Sequence, residues 1–411
     1  MKTLLCSLLS VVVAAGLVTA ASAKEPAIQA WEERAYGAED PVEADVSAYR
    51  LLTGLYLSMY LAGAEVDDRY DLNADLPSAE ATPDEAAMAA GQRYLQDYFQ
   101  TSSRGLGRVR RLDAREDLQA LADAAAAKAF ATVTATKSDP VPYRPFVVPG
   151  VYVPTLIPRD VEMLHLQHFA FDPARATEIA PPPGPDSDRY AESYKETKAI
   201  GGAKSEIRTD DQTKATMIYD LQDPHPMIFR LLARRDLSLF EQARIMAIMD
   251  MGFEDMTAAQ FAGKTHFQSW RPITAIRNGD IDGRDDTEID PEWTPLLGTP
   301  NTSEYPCGHC TFVSATAAML EVLLPLEEGE NVVILSTDLV ATDNNRGFDG
   351  DLLATIEGFR IELDSYADYA VQGSESRIHN GAHFRYSTDM GQQLGPMVAK
   401  AVLEAWDGLP D

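Results

Sequence analysis

Glu304–Tyr305–Pro306–Cys307–Gly308–His309–Cys310, followed by the apolar, small-residue run Thr311–Leu324, is the stretch that decides how the rest of this chain is read. Pro306 and Gly308 punctuate a turn, and the run behind them has the length and composition of a helix, so the turn sits on a helix N-terminus. The first N–H groups of a helix have no intrahelical partner and favour anions. A histidine at the mouth of such a site is placed for acid/base work near neutral pH. A buried structural turn would use the same residues, and the flanking sequence has to separate the two readings.

Upstream runs Lys264–Thr265–His266–Phe267–Gln268–Ser269–Trp270–Arg271–Pro272, and downstream runs Ser376–Arg377–Ile378–His379–Asn380–Gly381–Ala382–His383–Phe384–Arg385. The order is K-x6-R-P, P-x-G-H, S-R-x5-H. Arg271 and Arg377 can each present a planar fork to two oxygens, and Lys264 supplies a compact charge. The Gly308 N–H adds a backbone donor. Structural salt bridges would account for any one of these residues; three cations and two histidines in this order point to a site for a tetrahedral oxyanion.

These motifs resemble those of the superfamily joining vanadium-dependent haloperoxidases to type 2 phosphatidic acid phosphatases and bacterial acid phosphatases. Pro272–Ile273–Thr274–Ala275–Ile276–Arg277 and Asp290–Pro291–Glu292–Trp293–Thr294–Pro295–Leu296–Leu297 look like its secreted bacterial haloperoxidase-like branch. The resemblance spans roughly residues 140 to 405. It implies an all-α fold of helix bundles. It also implies a catalytic set of His309, His383 and Lys264, and an oxyanion cradle of Lys264, Arg271, Cys307, Gly308 and Arg377. His383 would be the sole protein ligand of vanadate, or the nucleophile on phosphorus; His309 would be the acid/base, and Lys264 would polarise hydrogen peroxide. The activity so implied is oxidation of halide by hydrogen peroxide with vanadate as cofactor. The alternative is hydrolysis of a phosphomonoester through a phosphohistidine, with no cofactor.

Several residues depart from the family pattern. Cys307 replaces a serine and offers a weaker donor. Thr302 stands where the branch carries an aromatic residue, which bears on halide binding. Phe261 takes the place of a common tryptophan and keeps one wall aromatic. Asp389 follows His383 by six positions, where phosphatases tend to have an acid at four; the spacing leans toward the haloperoxidase branch, and Asp389 reads as a candidate outer partner of the site. Around the site, Asp255 reads either as an orienter of a cationic ligand or as a surface carboxylate, and His266 either lines the pocket or packs. His379 lies four before His383, a zinc-like spacing that Gly381 and the family pattern disfavour.

From the start of the chain, Lys2, the apolar run Leu4–Ala20 and Ala21–Ser22–Ala23 form the pattern of a cleavable secretory signal over residues 1–23, so export to a periplasmic or extracellular compartment is expected. The net charge of −29 includes Lys2, and removing it leaves −30, a balance that argues against nucleic-acid partners. With Cys6 gone, only Cys307 and Cys310 remain of the three cysteines. In an oxidising compartment, three apart at a helix start, they are expected to form a disulfide. Cys307–Gly308–His309–Cys310 is also the dithiol pattern of thiol–disulfide exchange proteins, but no βαβ pattern surrounds it. A non-catalytic oxyanion-binding protein is the remaining class.

Two regions are expected after the signal: 24–185, helical with a Pro-rich connection, and 186–411, the catalytic helical part. Helical compositions cover Val42–Ala64, Asp84–Tyr98, Asp113–Thr134, Asp188–Ala199, Asp211–Leu221, Leu363–Gly373 and Met390–Trp406. The best-marked helix starts at a Ser238/Glu241 capping box and runs up to Lys264. Val332–Leu335 is the one persuasive strand. Arg104, Arg108, Arg110 and Arg111 form a basic knot, and 11 of the 25 prolines fall between Pro140 and Pro185, excluding helix over most of that stretch. His165 and His168 lie within it without a carboxylate or cysteine cluster and read as structural. The acidic run Asp280–Asp290 lacks EF-hand spacing and reads as a solvated loop.

Overall fold

A computed structural model describes residues 26–36, 47–70, 72, 75–101, 114–134, 148–154, 168–339 and 355–406. The signal pattern at 1–23, the basic knot Arg104, Arg108, Arg110 and Arg111, and His165 lie outside the described residues. The first helices are α1 (Gln29–Tyr36), α2 (Ser47–Glu65), α3 (Pro83–Thr101) and α4 (Glu116–Thr134). The second half carries α5 (Asp188–Ile200), α6 (Asp210–Leu221), α7 (His225–Leu232), α8 (Leu239–Phe267), α9 (Pro272–Arg277), α10 (Gly308–Leu323), α11 (Tyr366–His379) and α12 (Arg385–Ala405). The fold is all-α in class, as the sequence implies, with one small sheet.

The capping box read from the sequence is present: Ser238 Oγ accepts the Glu241 N–H, and the Glu241 carboxylate accepts the Ser238 N–H. The helix it starts, α8, is 29 residues long and buried on nearly every side. The reason is its position, since α2, α10, α12 and a 3-10 turn at Pro173–Thr177 all pack on it. One hydrophobic core therefore runs from Ile28 and Trp31 through Met246 and Met249 to Val402, shared by the N-terminal helices and the second half. The methionines of α8 fill this interface, a use suited to their flexible side chains. Gln268, in the left-handed conformation with φ 48°, closes the helix, so Lys264 lies in its last turn.

Helices α10 and α12 meet at very close range. A Cβ at Gly391 would lie 2.7 Å from Cys307 O, and one at Gly395 would lie 2.5 Å from Thr311 O. Only glycine at both positions lets the two backbones approach this way. Helix α11 packs against α10 and α6, and its end leads through Gly381, at φ 79°, into the segment bearing His383. That positive φ, with a would-be Cβ 2.5 Å from Gly201 O, makes the turn specific to glycine.

The strand expected at Val332–Leu335 forms as β1 and pairs antiparallel with β2 (Arg360–Leu363), with Val332 opposite Leu363. Sequence composition predicts a helix start at Leu363. The structure corrects this: Ile361 and Leu363 face inward with period two, and the helix begins only after the Ser365 cap. Among the described residues, no helix is long and apolar enough to cross a membrane.

Candidate oxyanion site

The three cations come from three different elements. Lys264, in the last turn of α8, donates to Ser303 O at 2.8 Å and Glu304 O at 3.0 Å, which bolts it to the start of the Glu304–Cys310 stretch. Arg271, the N-cap of α9, donates to Thr302 O (2.8 Å), Thr302 Oγ1 (2.7 Å) and Ala382 O (2.8 Å). Thr302, where the family resemblance calls for an aromatic ring, thus holds a guanidinium in place. Arg377, in the last turn of α11, is fully buried and pairs through Nη1 with Asp220 on α6. Its Nε and Nη2 have no hydrogen-bond partner among the described residues.

His383 is fixed from both sides. Its Nε2 lies 3.0 Å from Arg271 Nη1, and its Nδ1 lies 3.0 Å from Glu304 Oε1. A guanidinium can only donate, so Nε2 accepts; the proton of the neutral ring therefore sits on Nδ1 and is donated to the Glu304 carboxylate. The same Glu304 oxygen accepts the Phe384 N–H at 3.0 Å. Burial raises the Glu304 carboxyl above its ordinary range, against the Phe384 N–H, Arg271 and Lys264, which favour the anion. The outcome is a histidine whose lone pair faces the cations.

Burial, reinforced by Arg271, Lys264 and Arg377, holds the His383 imidazolium form far below its usual pKa. His309, in the first turn of α10, is pushed down to about 3 by burial and then by Arg377, Lys264 and Arg271, with Asp220 opposing. Both rings are therefore neutral at ordinary pH before an anion binds. Burial pushes Asp220 upward, but the Arg377 charge and the hydrogen bonds from Arg377 and Asn380 outweigh it and hold it below its ordinary value.

The sequence-derived set is only partly assembled here. Lys264, Arg271, Arg377, His309 and His383 converge around the Gly308 N-terminus of α10. Cys307 and Cys310 are joined by a disulfide with Cα atoms 5.3 Å apart. The Cys307 sulfur accepts the Cys310 N–H at 3.2 Å, so it caps the helix and is not an oxyanion donor as first assigned. Asp389 is a correction as well: it pairs with Arg189 at the surface instead of backing His383. Asp255 accepts the N–H groups of Phe169, Ala170 and Phe171 at 2.5–2.7 Å, which fastens the Pro-rich connection to α8 and leaves no role as orienter of a cation. His266 is exposed and stacks edge-on against Phe267 with centroids 4.7 Å apart. Phe261 is half-buried one turn before Lys264. His379 ends α11 while His383 lies beyond the Gly381 turn, so the zinc-like helical spacing is not realised.

Glu304 and Asp220 were given no role from sequence. A carboxylate directly before the Tyr305–Pro306 turn is the available signal for Glu304; for Asp220, near the end of an ordinary helix, there is none. Trp270 and Phe384, the chain neighbours of Arg271 and His383, belong to one buried aromatic cluster with Tyr190 and Tyr386, Tyr190 and Trp270 stacking at 6.3 Å and Phe384 and Tyr386 at 5.4 Å.

A tetrahedral oxyanion fits these residues. Buried guanidinium N–H groups without partners are rare in folded proteins, and the pair on Arg377 is matched by an anion with at least two oxygens. The fit is testable at Glu304 as well. Glu304→Gln should lower vanadate affinity about 10- to 100-fold, the usual effect of removing the outer partner of a ligating imidazole. Binding of sulfate, which needs only the cations, should fall much less. An equal loss for both anions would mean that Glu304 merely supports the fold.

A family profile described as the VCPO second helical-bundle domain matches residues 244–409. Vanadium chloroperoxidase of Curvularia inaequalis is 27% identical over 195 residues, which is 40% of this chain and 31% of that protein. The chain thus spans about a third of the length of the curated relative it matches. Among solved structures, the first bacterial vanadium-dependent iodoperoxidase superposes with a TM-score of 0.62 at 18% identity, covering 92% of this chain and 95% of that one. A holo-type bacterial vanadium-dependent chloroperoxidase gives 0.63 at 16% identity, covering 90% and 93%. At these identities the structural likeness carries the fold. The profile match over residues 244–409 and the curated relative, together with the motif order, support the vanadium haloperoxidase superfamily.

Proposed function

We propose that this protein is a vanadate-dependent haloperoxidase that oxidises halide with hydrogen peroxide. The observation that carries the reading is the pair of unpartnered Arg377 donors, buried beside a His383 whose Nε2 lone pair is turned toward the cations. Vanadate, when bound, would supply a Lewis-acid centre that activates hydrogen peroxide without a change of oxidation state. Arg377, Arg271 and Lys264 would neutralise the anion's oxygens, and the low-dielectric surroundings make each contact stronger than it would be in water. His383 would provide the lone pair that retains the anion, with Glu304 holding the proton on the opposite nitrogen. His309, neutral in the resting site, would take a proton from incoming hydrogen peroxide and return it to a departing oxygen. The buried disulfide beside the site supports maturation in an oxidising compartment, in keeping with export.

The test is purified protein stripped of bound anions, assayed with orthovanadate, hydrogen peroxide and iodide or bromide, beside a phosphomonoester without vanadate. Halide oxidation that depends on vanadate is expected. Hydrolysis of the phosphomonoester without any halide oxidation would assign the same residues to phosphatase chemistry instead. Orthovanadate and phosphate should also compete, because both need the Arg271, Arg377 and Lys264 cradle. Calorimetry showing the two anions bound simultaneously and independently would contradict a shared site.

A further inference from the structure

A second cluster of chemistry-bearing side chains lies outside the oxyanion site. Glu32 on α1, Asp223 in the α6–α7 connection, His225 at the start of α7 and Asp250 in the middle of α8 are all buried, with His225 wholly enclosed. Three carboxylates surround one imidazole. The neighbouring Arg230 is paired to Asp338.

The imidazole is oriented in one direction by its partners. His225 Nε2 lies 2.8 Å from Asp250 Oδ1, so this nitrogen carries the proton. Nδ1 faces Glu32 Oε2 at 3.0 Å and Asp223 Oδ1 at 3.8 Å, with no hydrogen bond made by Nδ1 itself. Carboxylate oxygens crowded around this nitrogen in a dry interior call for a positive charge among them, which either a proton on Nδ1 or a metal cation supplies. The carboxylates are also held in place, by Tyr56 OH on Glu32 Oε2 at 2.9 Å and by the His225 N–H on Asp223 Oδ1 at 2.9 Å.

The three ligand atoms lie within 4.8 Å of one another. Donors bound about 2.0–2.2 Å from one ion stand about 3–4 Å apart, which matches the separations around Nδ1. We propose that Glu32, Asp223 and His225 Nδ1 bind a divalent cation of the zinc or manganese class. Asp250 serves as the outer carboxylate that fixes the imidazole tautomer. One imidazole with two carboxylates favours these ions over calcium or magnesium, which prefer oxygen alone. The ion would clamp α1, from the far N-terminal region, to α7 and α8 of the catalytic half.

The experiment uses full-length protein treated with chelator, then dialysed against zinc or manganese chloride and passed through gel filtration. One retained ion per chain by elemental analysis and a higher melting temperature are expected. Glu32→Gln and Asp223→Asn should each weaken binding at least tenfold while far-UV circular dichroism stays the same. Should either variant fail to fold, anomalous diffraction at the zinc edge from wild-type crystals decides the matter, with a peak expected between Glu32, Asp223 and His225. No retained ion, a peak elsewhere, or binding unchanged in both variants would overturn the proposal and leave the cluster as an ion pair filled by a proton. None of these readouts depends on peroxidase activity.

Discussion

His383→Ala is expected to abolish retention of vanadate and, with it, all vanadate-dependent turnover. The cradle of Lys264, Arg271 and Arg377 stays in place, because each is tied to backbone carbonyls or to Asp220 and not to the imidazole alone. Purely electrostatic binding should therefore survive, and sulfate or phosphate affinity should change little. What disappears is the Nε2 lone pair, the directional bond that separates vanadate from other tetrahedral anions. The loss in vanadate affinity should exceed the 10- to 100-fold typical of an outer-shell partner. Equilibrium dialysis with elemental analysis measures it. Vanadate retained by the variant at wild-type affinity would mean that His383 is not the ligand.

The second large effect is expected at His309. His309→Ala should leave anion binding intact and lower turnover by about 10²–10⁴-fold, as for a lost acid/base group. The same ring predicts a proton signature. With its pKa held at about 3 by burial and by Arg377, Lys264 and Arg271, His309 is unprotonated in the anion-free site. A bound anion offsets those three charges, so the pKa must rise and protons must be taken up on binding, most visibly on the acid side of neutrality. Sulfate is the right probe because it carries no titrating proton near neutral pH. Calorimetry at pH 6 in two buffers of different ionisation enthalpy should show uptake by wild type and less by His309→Ala. Equal uptake in both would place the titrating group elsewhere. The linkage also has a sign for stability. A histidine whose folded pKa lies below its unfolded value contributes stability present above about 6.5 and lost progressively as pH falls toward 3.

Much of this protein is legible in its motif order. Pro306–Gly308 marks a turn on a helix start, and Ser238 with Glu241 marks the start of the long helix, because caps and turn residues act over three or four positions. Their physics is local and legible in the chain. Val332–Leu335 is likewise visible as a strand from composition alone. Its partner β2 was not, because Arg360–Leu363 becomes a strand only when β1 supplies hydrogen bonds from far away in sequence. Helix α7 is not legible in the sequence either, having no side-chain cap to announce it.

At the site, the sequence named the cations and histidines, since an oxyanion requires those groups whatever their arrangement. It did not tell which carboxylate would orient His383. Asp389, the acid nearest after His383 in the chain, is carried by the turn of α12 to the surface and Arg189. Glu304, 79 positions away, arrives instead because the close approach of α10 and α12 at Gly391 and Gly395 brings the Glu304–Cys310 stretch against the His383 segment. Asp255 lies nine residues before Lys264, but three unpaired N–H groups of the Pro-rich connection claim it first. Sequence by itself determined which chemical groups are present and where helices can begin. Tertiary structure decided which carboxylate meets which histidine, because buried charges are satisfied by whatever partner packing delivers and not by the nearest residue along the chain.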